Sequence, residues 1–389
     1  MADAAREGEG ITMTHAIARV AATALRVPVD FSEIGSDRVQ TNSVCVVEVE
    51  TADGLVGHGL TSITQAPVVA AAVNAVAGPA ILGMDALAHE PVWQTLYWTM
   101  TPWGQSGYAS HAVSAVDLAL WDIKGQALGM PVWRLLGGAR DRLEAYVTCG
   151  FSFLDRDQLA AAARRMAGRG FRSVKMQVGR PGLDARRSRQ PLADMVREDV
   201  RRVAAVREAV GEEVEIAIDA GCRLDLPHAV DLARRVEPLG VTYFEEPIVQ
   251  NDVRLMAEMR RQTSLRLSAG QNEGLAYRFR DMLVAGAVDM VQPNVIITGG
   301  ITLCTKIAGL ATAFNVPIGN GGGAPYHNMH LQAGLANGTA VEYQLNSAGA
   351  AEAIYEGLPA VTDGWLDLPE APGLGFKPIP EAVAEFAEN

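Results

Sequence analysis

A chain of 389 residues is long enough for a barrel plus a second, smaller domain, and a formal net charge of −12 with no basic patch interleaved with aromatics excludes a nucleic-acid role. No apolar run reaches transmembrane length, and residues 1–14 carry Arg6, Glu7 and Glu9 where a signal peptide would be apolar, so they read as a disordered extension with no membrane partner. Cys45, Cys149, Cys222 and Cys304 lack the close spacing of a zinc site and read as reduced thiols in a cytoplasm.

In chain order, β-branched residues alternate with small or polar ones from Ile17 to Val29 and from Ser43 to Val49, and Asp53-Gly54 turns the chain into Leu55–Gly59. This is a small antiparallel sheet, with Asp30 to Asn42 read as a mobile polar loop between strands. Helical spacing follows over Val68–Val76, Glu90–Trp98 and His111–Ala127, the last with an apolar stripe on Val113, Val116, Leu120, Ile123 and Ala127. Residues 15–135 therefore form an α+β capping domain.

From Leu143 the pattern alternates short strands with amphipathic helices. The strands expected are Leu143–Cys149, Phe171–Val178, Val214–Asp219, Val241–Glu245, Leu265–Ala269, Asp289–Pro293, Val316–Gly319 and Ala340–Tyr343. Eight in this order predict a closed parallel (β/α) barrel over residues 136–348. Arg180 to Pro191 reads as a loop inserted over the carboxyl-end face. Residues 349–389, rich in Pro and Gly, read as a tail returning to the cap with no obvious closing helix before Pro380.

Asp219, Glu245 and Gln271 recur every 26 residues, close to the roughly 30 of one strand-helix unit, each at the end of an apolar run. Barrel sites gather at that end of the strands, and three oxygens there suit a hard divalent cation. A structural ion pair at the barrel mouth is the plainer alternative.

Several stretches resemble the enolase superfamily, in its mandelate racemase and muconate lactonising enzyme branch. They are Ala115–Gly138, Phe244-Glu-Glu-Pro247, Gln292-Pro-Asn294, Gly299-Gly-Ile-Thr302 and Leu368–Gly375, in the family's order and across nearly everything after Met13. The resemblance implies a homo-oligomeric enzyme acting on a small carboxylate, a hydroxy acid or acid sugar, with Mg²⁺ held by Asp219, Glu245 and the residue at 271. A strand-end base would remove the proton next to the carboxylate while the cation stabilises the developing charge.

Carried over residue by residue, the match is incomplete. Gln271 stands where the family has Glu, which implies a weakened metal site. Lys175-Met-Gln177 stands for Lys-x-Lys, so the lysine base is replaced by Gln177. Asn294 and Gly321 stand for an Asp and a His that form the second base. An amide cannot take a proton from carbon.

The remaining catalytic candidates are Lys175, Glu342 and His327. Lys175 either engages an anionic group or neutralises Asp219 or Glu245. Glu342 sits near the family's acid that hydrogen-bonds the substrate carboxylate. His327, in the loop Gly319-Asn-Gly-Gly-Gly-Ala-Pro-Tyr-His327, could swing in as a substitute acid or base. That loop reads as an anion nest of backbone N–H groups or as a turn replacing a catalytic loop. Gln177, Asn294, His58 and Trp103 are candidate substrate contacts, the last two from the cap. Two readings follow: a lyase or dehydratase with a non-standard catalytic set, or a catalytically inactive ligand-binding or assembly module.

Overall fold

The computed structural model describes residues 15–102, 104–185 and 191–388. A three-stranded antiparallel sheet opens the chain, from β1 (Ile17–Phe31), β2 (Ser36–Thr51) and β3 (Val56–Ser62). The segment expected to be a loop is instead the end of a long hairpin. Val27 pairs with Asn42, Pro28 with Thr41, Val29 with Gln40 and Asp30 with Val39, and the turn is confined to Ser32–Gly35, where Gly35 takes φ +77. Polarity misled there because one face of a strand at a sheet end need not be apolar.

Helices α1 (Ala66–Ala72) and α3 (Tyr108–Leu128) pack on this sheet, and α2 (His89–Met100) packs on α3. On β3, Gly57 and Gly59 face α3 so closely that a Cβ at either would run into the carbonyl of Ala119 or Ala115. Their lack of a side chain lets helix and sheet touch backbone to backbone. Gly129, at φ +65, ends α3 in the left-handed conformation common after a helix.

The barrel strands are β4 (Leu143–Gly150), β5 (Ser173–Gln177), β6 (Glu215–Asp219), β7 (Val241–Glu245), β8 (Arg266–Ala269), β9 (Met290–Val291) and β10 (Val341–Gln344). β4 to β9 pair in parallel in sequence order, and β10 pairs with β4 to close the ring. The seventh expected strand is reduced to single bridges, Val291 to Ile318 and Ile318 to Gly338, because Pro317 lacks an N–H to extend the ladder.

Outer helices α4 (Arg156–Gly168), α5 (Leu192–Val210), α6 (Leu226–Val236), α7 (Val253–Arg260), α8 (Ala276–Val284), α9 (Gly300–Ala313) and α10 (Pro325–Gly334) cover the strands. Asp155 and Gln158 form a capping box at the start of α4, a device worth about 1 kcal/mol. The tail begins later than the composition suggests. Helix α11 (Leu345–Ile354) runs through Gly349, its small residues Ala348, Ala350 and Ala351 buried. After it, Trp365 and Leu366 pair with β4, and Val132 and Met130 exchange backbone hydrogen bonds with Gly373. Helix α12 (Pro380–Phe386) then lies against β1.

Cap and barrel share a polar seam. Ser114 Oγ on α3 accepts from the N–H groups of Gly299 and Gly300 at 2.7 and 3.1 Å, and Asp117 Oδ2 accepts from Thr302 N–H at 3.0 Å. These are the unpaired amides that open α9. Trp121 Nε1 donates to Thr302 Oγ1 and Trp93 Nε1 to the Gly299 carbonyl.

Candidate active site

The ladder brings Gln177 opposite Asp219, and Asp219 opposite Glu245, at the carboxyl ends of β5, β6 and β7. Gln271 lies just beyond β8, whose last residue is Ala269. The three-strand convergence expected from the 26-residue spacing is therefore present, with the third member on a loop.

Above these ends lies a cavity of about 910 Å³ lined by residues of both cap and barrel. Asp219, Gln271 and Gln177 line it, joined by Asn272, Arg180 and Arg223 from the barrel loops. The hairpin contributes Gln40, Thr41 and Asn42, and the segment after β3 contributes Ile63, Thr64 and Gln65. Asn42 and Asn346 exchange amide hydrogen bonds across the cap-barrel boundary.

Lys175 and Glu342 are not among the residues lining this cavity, which corrects their assignment to the substrate. Lys175 stands two residues before the strand end, so the two-residue pleat points it into the barrel one layer deeper than Gln177. Its Nζ lies 2.6 Å from Glu245 Oε2 and 2.7 Å from Glu342 Oε1, with all three side chains at most 1% exposed. Burial works against its charge, but Glu245 and Glu342 outweigh burial and hold the ammonium well above its ordinary range. Glu342 is further tied by Thr148 Oγ1 at 2.5 Å and by the N–H of Gly323 at 2.8 Å. Neutralisation of Glu245, the plainer of the two roles for Lys175, is the one this geometry serves.

Asn294 is likewise structural rather than a substrate contact. It is fully buried, its Nδ2 donates to the Gly321 carbonyl at 2.7 Å, and its Oδ1 accepts from Asn328 Nδ2 at 2.9 Å. The glycine loop is thereby pinned, and the anion that its Gly323 N–H holds is the protein's own Glu342. Gln177 does line the cavity, with Oε1 accepting from Ser152 N–H at 3.0 Å.

His58 sits in the middle of β3 opposite Glu48, with its N–H donated to Asp122, and it does not line the cavity. The residues after it, from Ser62 to Gln65, take that place. Trp103 lies outside the described residues. His327 lines the cavity but does not swing: it occupies the first turn of α10, packed edge-on against Tyr355 and Phe376 at 5.7 and 5.0 Å between ring centroids. Burial holds its imidazole neutral, down to about 3.

Several lining residues escaped the sequence reading, four of them with polar side chains that bear on the site. Arg180 and Arg223 lay in segments with no motif. Asn346 sits just after the eighth expected strand, in a stretch to which no role was given. His111 was counted with the core stripe of α3, yet it lines the cavity, with Nδ1 2.5 Å from Thr61 Oγ1 and its pKa lowered by burial to about 4.

The donor set does not fit a divalent cation as the resemblance draws it. Glu245 Oε2 is taken by Lys175 and by Gln292 Nε2 at 2.9 Å, leaving a buried Oε1 without a partner among the described residues. Asp219 Oδ1 accepts from the Gly221 N–H at 2.7 Å, and its Oδ2 faces Arg180 Nη2 at 3.5 Å. Gln271 offers one neutral carbonyl oxygen, its Nε2 being donated to Glu246. Among the described residues, no three His, Cys, Asp or Glu side chains are grouped to hold an ion.

Comparison with known proteins places this geometry in context. Residues 13–137 match the family model described as mandelate racemase / muconate lactonizing enzyme, N-terminal domain, and residues 158–382 match that described as enolase C-terminal domain-like. An arabinonate dehydratase of Saccharolobus solfataricus is 30% identical over 340 residues, 86% of this chain and 87% of that protein. The 3,6-anhydro-D-galactonate cycloisomerase of Zobellia galactanivorans superposes with a TM-score of 0.84 at 28% identity, covering 96% of this chain and 100% of that one. An L-talarate dehydratase of Polaromonas sp. JS666, in complex with Mg and L-glucarate, superposes with a TM-score of 0.82 at 28% identity, covering 96% and 98%.

Proposed function

For a chain that belongs to the mandelate racemase / muconate lactonizing enzyme family of the enolase superfamily, we propose a lyase or isomerase acting next to the carboxylate of a small polyhydroxylated acid. The observation that carries this reading is the lining of the cavity. It presents amides on Asn42, Gln177, Gln271 and Asn272, hydroxyls on Ser43 and Ser347, and two guanidinium groups. Amides both donate and accept, as sugar hydroxyls do, whereas an apolar ligand would leave the hydrogen-bonding capacity they still turn to the cavity unmet, at about 1–3 kcal/mol for a group buried that way. The relatives act on sugar acids, by their names: arabinonate, anhydrogalactonate and talarate.

In a dehydration the proton on the carbon beside the carboxylate is removed and the hydroxyl on the next carbon leaves as water. With Gln177 and Asn294 unable to take that proton, we assign it to His111. In the tautomer that carries its proton on Nδ1, directed at Thr61 Oγ1, Nε2 is the acceptor, and the buried ring is neutral at pH 7. A homo-oligomer in the cytoplasm, with free thiols at Cys45, Cys149, Cys222 and Cys304, completes the proposal.

The test is incubation with arabinonate, D-galactonate and L-glucarate in D₂O, followed by NMR. Product formation, or exchange at the carbon beside the carboxylate, is expected and should fall roughly 10²–10⁴-fold in His111→Asn, the range for a lost general base. Saturable binding with neither turnover nor exchange would make the protein a ligand-binding module instead.

A further inference from the structure

Arg180 follows β5 and is fixed by its surroundings. Leu183 N–H donates to the Arg223 carbonyl and Arg223 Nε to Asp184 Oδ2, each at 2.9 Å, which ties this loop to the one after β6. The Arg180 side chain is only 21% exposed, yet among the described residues its one ion contact is the 3.5 Å approach to Asp219 and its buried Nε has no partner. A guanidinium carries five N–H donors, and on this one the Nε donor is buried and unspent while the rest of the group faces the cavity. Leaving such donors unmade is costly unless a ligand completes them.

The neighbouring backbone lets two guanidinium groups come together at the cavity wall. Gly221 takes φ +51, and a Cβ there would lie within 2.8 Å of guanidinium nitrogens of both Arg180 and Arg223. The missing side chain leaves open the place where two cations meet, on the wall of the cavity.

Charge accounting links Arg180 to Gln271. The ligand set implied by the resemblance sets a doubly charged cation among three carboxylates. Here a singly charged guanidinium approaches Asp219, with Glu245 as the second carboxylate nearby and an amide as the third group. One positive and one negative charge have gone together, so the net charge around the site is the same.

We propose that the Arg180 guanidinium stands in for the divalent cation, lying between Asp219 and the substrate carboxylate and anchoring an acid sugar without metal. This rests on the acid-sugar reading of the cavity. The planar fork of an arginine matches both oxygens of a carboxylate, and the group stays charged at any working pH. It shields the incoming carboxylate from Asp219, which would otherwise repel it.

Two measurements test this on the full chain after exhaustive chelation. In calorimetry with Mg²⁺ alone, the wild-type protein should give no saturable heat, and an Arg180→Gln/Gln271→Glu double variant should gain it. In thermal-shift titrations with arabinonate, D-galactonate and L-glucarate, chelated wild-type protein should bind at least one acid. Arg180→Gln should lose at least tenfold in affinity, and Arg180→Lys, which keeps the charge without the fork, should fall between. Galactitol, which lacks the carboxylate, should not discriminate among the three proteins.

Saturable Mg²⁺ binding by the wild-type protein at micromolar concentration, acid binding that appears only with Mg²⁺, or unchanged affinity in Arg180→Gln would each overturn the proposal while leaving the acid-sugar reading intact. If no acid binds with or without Mg²⁺, that reading falls and takes the proposal with it.

Discussion

The amide of Asn294 donates to the carbonyl of Gly321 at 2.7 Å, joining the two positions where the family's aspartate and histidine would stand. Where the resemblance implies a proton-transfer pair, this chain has a structural tie. Asn294→Asp would put a carboxylate against that carbonyl, so it should destabilise the fold by about 1–3 kcal/mol and bring no gain in turnover. Urea unfolding and the NMR assay check the two halves of this expectation.

Lys175→Met should remove the cation between Glu245 and Glu342 and leave two carboxylates buried without it. Breaking a buried pair from one side costs about 3–5 kcal/mol. The expected outcome is a large drop in unfolding free energy. A variant of wild-type stability with a raised KM would instead return Lys175 to the substrate.

His327 is neutral in the folded chain down to about 3, whereas an unfolded histidine takes its proton near 6.5. Between those values the unfolded state binds more protons, so this residue's contribution to stability is complete above about 6.5 and falls as pH drops. Burial acts oppositely on Asp117 and Asp199, each pushed up to about 7, so the whole-protein profile mixes both signs. The clean measurement is a difference. Between pH 6.5 and 5, His327→Phe should lose less stability than the wild-type protein, by on the order of 1 kcal/mol per pH unit.

Gly221→Ala would fill the space between Arg180 and Arg223. Acid-sugar affinity should fall about tenfold, or 1.4 kcal/mol, with only a few degrees lost in Tm, since alanine tolerates a left-handed conformation at about 1 kcal/mol. An unchanged affinity would place the ligand elsewhere in the cavity.

The barrel was legible because apolar runs ending in Asp219 and Glu245 repeat at the length of one strand-helix unit, a signal that depends on the sequence alone. Depth was not. Whether Lys175 meets a ligand or a buried carboxylate depends on which layer of the barrel it occupies, and the same three letters fit either case. His111 was hidden by its apolar neighbours, since a residue at the rim of a core helix shares the helix's period. Arg180 was hidden for the opposite reason: it stands in an irregular segment, where no periodicity shows which side chain turns inward. The hairpin to Thr51 was underestimated because its cavity-facing residues, Gln40 to Asn42, look like loop.

The seam at α9 has a consequence for how such a chain can change. Its opening amides are closed by Ser114 and Asp117, which lie nearly two hundred positions earlier. A cap taken from another protein would have to bring those groups at the same heights along its helix, or leave the barrel with buried N–H groups unpaired. Exchange of caps is thereby favoured between chains that share those two groups, and substitution at cavity positions such as Gln40 and Thr41, which take no part in the joint, can change ligand preference without disturbing it.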